Sequence, residues 1–564
     1  GWFPSRLRDG IIKKEPATEK ENAMFKKNDI IPLTIESITN EGSGIGHTDG
    51  IAVFVPMTAA GDELRVRIVK VQKSYCYGII EEVITPSPDR VPVDCPSYKR
   101  CGGCSLRHIT YEAELREKQR WVQDAMRRIG GFTIEPLPIL PSPSHTCYRN
   151  KAQFPFGQGD AGSYTGFFAP RSHTVIPCRD CPLQPVVFSE IAAWMCHYAD
   201  THGLTIYNEQ TGKGLLRHLY LRQAAVDGSI MLCLIINGDK MPHAEEFTRE
   251  AQQQFPAIST ILLNHNTIRD NVILGQQDTV LAGPGTLQDV LCGVSVTLSP
   301  HSFYQVNHDA AEQLYREAAQ LAALQLNETL LDLYCGAGTI GLSMVQPGQK
   351  LIGVEVVHSA VENARQNAVR AGVTDAEFLC ADAGKASQIL AERGLRPDVI
   401  VLDPPRKGCD NDTLQAVVRM APSRIVMVSC NPATMARDAA ILREMGYDLQ
   451  CYRPVDLFPR TSHCETVCQL VLRKPAVHIN IDVDVEELVQ DKRGAATYGQ
   501  IKDYVLEHSG LKVSSLYIAQ VKQKYGIIER ENYNKTKSEN VKQPQCPPEK
   551  EKAITEALKH FGMI

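Results

Sequence analysis

Two short stretches carry side chains suited to covalent chemistry. In VSCNPATMARD (428–438) Cys430 follows the apolar run IVMV, where a buried strand would end, and FPRTSHCETV (458–467) offers Glu465. A cysteine so placed is a nucleophile once it is a thiolate; its ordinary pKa of about 8.5 means that the pocket must favour ionisation or approach. A carboxylate supplies the base that a covalent cycle needs.

A cofactor pocket is written nearby. ETLLDLYCGAGTIGLSM (328–344) runs from an apolar strand through Gly336, Gly338 and Gly341 into a helix, and such glycines let a ligand approach the helix N-terminus closely. The next strand ends near Glu355, a carboxylate able to accept both ribose hydroxyls of an adenosine cofactor. A nicotinamide dinucleotide and S-adenosylmethionine both satisfy that pattern. AEFLCADAG adds Asp382 after a third strand, and PDVIVLDPPRKG adds Asp403 after a fourth. An Asp-Pro-Pro loop at that strand resembles methyltransferases acting on planar nitrogen or carbon centres of bases.

A third group is sulfur-rich. CPSYKRCGGC supplies Cys95, Cys101 and Cys104 in a glycine-rich loop, a spacing that binds zinc or an iron–sulfur cluster and asks for a fourth ligand. VIPCRDCPLQ offers Cys178 and Cys181 for that place. Of the 18 cysteines, Cys76, Cys147, Cys196, Cys233, Cys292 and Cys380 sit singly among apolar or aromatic neighbours and are expected to be core thiols.

The elements that must position these groups can be outlined from patterning. At 564 residues the chain is too long for one core. Residues 1–24 lack a signal-like apolar run and are expected to be a disordered extension. Residues 25–84 alternate in short runs divided by glycine-rich turns, which predicts a small antiparallel β-barrel. Residues 85–290 form a strand-rich α+β central region that holds the sulfur-rich motifs and one amphipathic helix over 111–129. From 291 to 474 strands and helices alternate, predicting a Rossmann-like α/β domain with a parallel sheet. Residues 475–564 read as a small helical module. No run approaches the roughly 20 apolar residues that span a bilayer, so a soluble, cytoplasmic, monomeric protein is expected. The net charge of −5 is silent on nucleic acid, which needs only local positive potential.

SFYQVN, DLYCGAGTIGL, DPPRKG, SCNPATMARD and FPRTSHCETV, in that order, resemble the RNA uracil-C5 methyltransferase family over about residues 25–474. The resemblance implies a TRAM barrel at 25–84 and a class I methyltransferase domain. It implies Cys430 as nucleophile on uracil C6, Glu465 as the base removing the C5 proton, and Gln305, Tyr334, Glu355, Asp382 and Asp403 as S-adenosylmethionine-site residues. It further implies a [4Fe-4S] cluster on Cys95, Cys101, Cys104 and the cysteine before Pro-Leu, Cys181. Family members resembling a minimal tRNA enzyme lack barrel and cluster, so large-subunit (23S) ribosomal RNA is the expected partner and tRNA the alternative. An oxidoreductase or an idle RNA-binding factor would leave Cys430 and Glu465 without a task. Expected RNA contacts are Arg149, Asn150, Lys151, Phe154 and Phe156; the helix residues Arg116, Lys118, Arg120, Arg127 and Arg128; and the barrel's Arg65, Arg67, Lys70 and Lys73. The target uridine must leave any stack to reach Cys430.

Overall fold

A computed structural model describes residues 25–473, 496–527 and 545–564. The expected extension 1–24 and the first part of the tail lie outside the described residues. The chain divides into two compact units, Gly1–Arg473 and Lys474–Ile564.

Six strands open the first unit: β1 (Ile30–Thr34), β2 (Ser37–Ile38), β3 (Ser43–Thr48), β4 (Ile51–Pro56), β5 (Glu63–Val71) and β6 (Tyr75–Thr85). Alternate residues, Ile31 and Leu33, Val53 and Val55, Leu64, Val66 and Ile68, point into one core. The strand order is β1-β5-β6-β4-β3-β2. Because β1 and β2 are consecutive along the chain, the two ends of that order lie near one another. One pairing departs from the antiparallel expectation: β4 and β6 run parallel. The reason is topological, since β6 returns antiparallel to β5 and enters between β5 and β4.

Helix α1 (Tyr111–Arg128) follows, its first turn capped by Thr110 Oγ1, which accepts from the Ala113 N–H at 3.2 Å. A mixed sheet is built from β7 (Lys151–Gly159), β8 (Gly162–Phe168), β9 (Val175–Pro177), β10 (Leu216–Gln223), β11 (Ile230–Ile236), β12 (Ile258–His265) and β13 (Gln277–Ala282), in the order β13-β12-β11-β10-β7-β8-β9. Helices α2 (Val186–Thr201) and α3 (Ala244–Gln254) pack with Leu219, Leu232 and Leu263 of that sheet in one core.

A hairpin, β14 (Leu287–Leu291) and β15 (Val294–Leu298), comes next. The boundary expected between residues 290 and 291 passes through it, and Leu287, Val294 and Val296 share a core with Leu330, Val399 and Val426 of the sheet that follows. Helix α1, which precedes the central sheet in sequence, likewise buries Val122 and Met126 with Ile425, Met427 and Leu442 of that domain.

That sheet alternates with helices: α4 (His308–Ala322), β16 (Thr329–Leu333), α5 (Thr339–Met344), β17 (Lys350–Glu355), α6 (His358–Arg370), β18 (Ala376–Cys380), α7 (Ala383–Glu392), β19 (Val399–Leu402), α8 (Asn411–Met420), β20 (Arg424–Ser429), α9 (Pro432–Glu444), β21 (Tyr447–Val455) and β22 (Glu465–Leu472). Helices cover both faces, which is why VIVL and RIVMVS read as nearly continuous apolar runs. Its order is β18-β17-β16-β19-β20-β22-β21. The sheet is not wholly parallel: β22 pairs antiparallel with both β20 and β21. The order reverses between β16 and β19, and a crevice forms at the carboxyl ends of strands at such a switch point.

In the second unit α10 (Tyr498–Ser509), α11 (Ser515–Lys524) and α12 (Pro548–His560) enclose Ile501, Val505, Ile518, Ile554 and Leu558. Among the described residues no helix is long and apolar enough to cross a membrane.

Candidate active site

Reversal of β22 brings together two residues that the sequence separates. Ser429 of β20 pairs with Thr466 of β22. Cys430 comes directly after the first and Glu465 directly before the second, so antiparallel pairing sets them side by side. Cys430 stands in a turn held by Asn431, whose Oδ1 accepts from the Ala433 N–H at 3.1 Å to cap α9. The Asn431 Nδ2 donates to the Arg406 carbonyl at 3.0 Å, and Arg437 donates to the Lys407 carbonyl at 3.0 Å, so the Asp-Pro-Pro-Arg loop is tied to the Cys430 turn.

Arg406 gains a position from this that the sequence reading missed: its guanidinium stands near the Cys430 thiol, and both line one cleft. Its signal was the arginine closing DPPR. Burial pushes the Cys430 thiol up, and the Glu465 carboxylate adds to that, while Arg406 opposes both. Glu465 is 5% exposed. Burial, with Asp403 nearby, pushes its carboxyl up to about 8 against the pull of Arg406. Burial holds Asp403 at about 7.

The loop leading to Glu465 is anchored by buried charge. Lys118 of α1, fully buried, donates to Glu114 Oε1 and Asp456 Oδ1 at 2.7 Å each and to the Phe458 carbonyl at 3.0 Å. Tyr111 donates to Asp456 at 2.8 Å. The Arg460 N–H donates to Glu114 at 2.6 Å, while its carbonyl accepts from the Ser105 and Leu106 N–H groups at 2.9 and 3.1 Å. Helix α1, the cysteine loop and the loop leading to Glu465 are thereby one hydrogen-bonded assembly.

The cofactor candidates gather at the carboxyl edge of the sheet. Tyr334, Gly336 and Gly338 all have positive φ, turning the chain sharply from β16 into α5. A side chain at Gly341 would meet Asp332 Oδ2 and Leu351 at 2.8 Å, so only glycine lets the helix come this close. Glu355 accepts from the Gly336 N–H at 3.1 Å and the Val357 N–H at 2.8 Å, one per oxygen, leaving lone pairs for further donors. Tyr315 bridges Gln305 to Thr339 at the start of α5 and faces Asp403 and Asp332. The Tyr334 ring turns toward Cys409 and Thr413. Asp382 lies farther out, exposed, and caps α7 by accepting from the Lys385 N–H at 3.2 Å. Asp332, missed in the sequence reading, is 1% exposed; burial pushes it up to about 8 while Gly341 N–H bonds it at 2.9 Å.

Cys95, Cys101, Cys104, Cys178 and Cys181 line one small cavity of about 60 Å3, so both candidates for the fourth position face it. A hydrogen bond from the Cys178 thiol draws Cys181 down to about 6, while burial pushes Cys104 up to about 12. Arg107 is 2% exposed on its side chain, and its Nη1 and Nη2 lack hydrogen-bond partners. Arg107 and Arg149 both act on Cys104 and Cys181. Among the described residues no three His, Cys, Asp or Glu side chains converge on one ion. Thiols spread around a cavity beside the buried, under-bonded Arg107 guanidinium suit an anionic cluster in which each iron takes its own thiolate. Two other cysteines correct the core expectation: Cys147 and Cys380 are exposed.

Several expected RNA contacts prove internal. Phe154 and Phe156 are core residues at 2% and 5% exposure, Lys118 belongs to the ion network, and Arg149 faces the cysteine cavity. Arg116 bonds Asp89, and Asn150 donates to the Gln305 carbonyl at 2.9 Å. Burial, with Arg222 and Arg149 near, lowers Lys151 to about 8. Arg120 and Arg128 remain on the wall of a cleft of about 650 Å3, together with Ile45 and His47 of the barrel and with Arg406 and Cys430. The barrel's share of this cleft had no local signal in the sequence.

Doubly wound sheet, glycine turn and carboxyl-edge acids define a fold that binds an adenosine-bearing cofactor, and comparison with known proteins narrows it. Residues 294–474 match the tRNA (uracil-5-)-methyltransferase family model, and residues 25–80 match the TRAM domain. An uncharacterized RNA methyltransferase of Halalkalibacterium halodurans is 39% identical over 455 residues, covering 80% of this chain and 99% of that protein. One from Clostridium tetani is 38% identical, covering 79% and 97%. Among solved structures, the Pyrococcus abyssi tRNA (uracil-54, C5)-methyltransferase in complex with S-adenosyl-L-homocysteine matches 78% of this chain and all of that one, at 26% identity and a TM-score of 0.63. The chain belongs to the RNA uracil-C5 methyltransferase family with a TRAM domain, and its methyl donor is S-adenosylmethionine.

Proposed function

We propose that this enzyme methylates C5 of a uridine in large-subunit (23S) ribosomal RNA through a covalent bond between Cys430 and C6. The observation that carries the reading is the β20–β22 register, which sets a carboxyl beside the thiol that lines the cleft. C5 of uracil is scarcely nucleophilic by itself. Cys430, as a thiolate favoured by Arg406, adds to C6, and the electron pair of the C5–C6 double bond moves toward the C4 oxygen. C5 then takes the methyl group that S-adenosylmethionine supplies from its sulfonium. Glu465 removes the C5 proton, the double bond re-forms and the C6–S bond breaks. Gln305, Tyr334, Glu355, Asp382 and Asp403 hold the cofactor, Glu355 through the ribose hydroxyls. Cys95, Cys101, Cys104 and Cys181 would hold a [4Fe-4S] cluster, which would cross-link the loop that meets Arg460.

A tRNA uridine is the second reading, favoured by the likeness to the archaeal tRNA enzyme. Mapping 5-methyluridine in ribosomal and transfer RNA from cells with and without the gene separates the two. RNA carrying 5-fluorouridine at the mapped site should form a denaturation-resistant adduct with the parent enzyme and none with Cys430→Ala. Turnover by Cys430→Ala at a comparable rate would overturn the covalent reading.

A further inference from the structure

The outer face of the barrel carries an aromatic cluster that neither the fold nor the reaction requires. Successive registers run Ile45↔Phe54, Phe54↔Tyr77 and Tyr77↔Lys70, one row across β3, β4, β6 and β5. The neighbouring row runs His47↔Ala52 and Ala52↔Tyr75. Strand alternation aims these residues outward, because Val53, Val55 and Cys76 between them fill the barrel core. Ring centroids of Phe54, Tyr75 and Tyr77 lie 5.5–5.8 Å apart, and Tyr75 meets each of the other two edge to face. Tyr77 is 40% exposed. Arg171, from the turn between β8 and β9, and Glu41 are the charged groups that act on it.

Position gives the cluster meaning. Ile45 and His47, at one end of the two rows, are walls of the cleft that holds Cys430, and the rings lie one and two strands farther along the same rows. A uridine drawn out of its stack toward Cys430 leaves its neighbours without a stacking partner. Unpaired bases are taken up by aromatic rings, and phosphates by nearby cations. We propose that Phe54, Tyr75 and Tyr77 form a stacking platform for an unpaired nucleotide flanking the target uridine, with Lys70 and Arg171 meeting its phosphates. Arg67 and Arg65 on the same face are turned to Glu81 and Glu82, which leaves Lys70 as the cation in line with the rings. This inference rests on the RNA reading above.

The test is binding rather than turnover. The full chain, purified anaerobically, is titrated with a single-stranded RNA oligonucleotide carrying 2-aminopurine, whose fluorescence falls when the base stacks. Parent protein should quench it. Tyr77→Leu, which keeps apolar bulk without an aromatic face, should bind about tenfold or more weakly and lose the quench. Tyr77→Trp should retain both. Lys70→Gln should lower the dependence of log Kd on log salt by about one unit while keeping the quench. Unchanged S-adenosylmethionine affinity by calorimetry shows that each variant is folded. Equal binding and quench in Tyr77→Leu and parent would overturn the platform. Parent protein that binds and quenches the RNA yet forms no 5-methyluridine would instead refute the methylation reading and leave the platform standing.

Discussion

Replacing Glu465 by glutamine removes one base and keeps nearly the same shape, at a site where burial and Asp403 hold the carboxyl at about 8. A positioned general base contributes about 10²–10⁴ in rate, so release of the methylated product should slow by roughly that factor while adduct formation at Cys430 continues. RNA should then accumulate on Cys430 in single turnover, read on denaturing gels with a labelled methyl group. The parent enzyme carries the complementary pH signature. The base form is the ionised one, so release should rise about tenfold per pH unit from pH 6 and level off near pH 8. Stability should move the opposite way. The folded carboxyl binds its proton more tightly than the unfolded one, so the stability it allows is full below the unfolded pKa and declines as pH rises toward 8. Glutamine has no charge to bury, and Glu465→Gln should be more stable than the parent at pH 7–8 by roughly 3–4 kcal/mol. Parent-like turnover of the variant would refute the assignment. A release profile with its midpoint near 7, without any stall in the variant, would transfer the role to Asp403.

Other consequences can be checked separately. Glu355→Ala should weaken S-adenosylmethionine binding by about 1–3 kcal/mol in calorimetry, the cost of unpaired ribose hydroxyls, with RNA affinity unchanged. Anaerobic protein should contain iron and sulfide in equal amounts, about four of each per chain; Cys181→Ser should lose them and Cys178→Ser retain them, whereas the reverse result would make Cys178 the ligand. Lys118→Met should strand Glu114 and Asp456 in the interior and destabilise the first unit by about 3–5 kcal/mol in denaturant melts; a change below about 1 kcal/mol would show that these carboxyls take up protons without penalty.

Much of this protein was legible in its sequence because some requirements are local. The glycine turn after β16, the carboxylate ending β17 and the alternation along β1–β6 each depend on a few adjacent residues, whose backbone geometry and side-chain direction follow from type and spacing. Cys430 at a strand end was legible for the same reason. Tertiary structure alone decided what pairs with what. The reversed direction of β22, which seats Glu465 beside Cys430, comes from a long-range pairing that no local pattern encodes. Lys118, Arg149, Phe154 and Phe156 looked like an RNA face because basic and aromatic residues read alike whether exposed or buried. Their burial was settled by Asp456, by the cysteine cavity and by the central core, all supplied by distant parts of the chain. Arg406 became the partner of Cys430 only when the loop after β19 met the turn after β20. A charged side chain takes its role from the partners that desolvate and neutralise it, and folding chooses those partners.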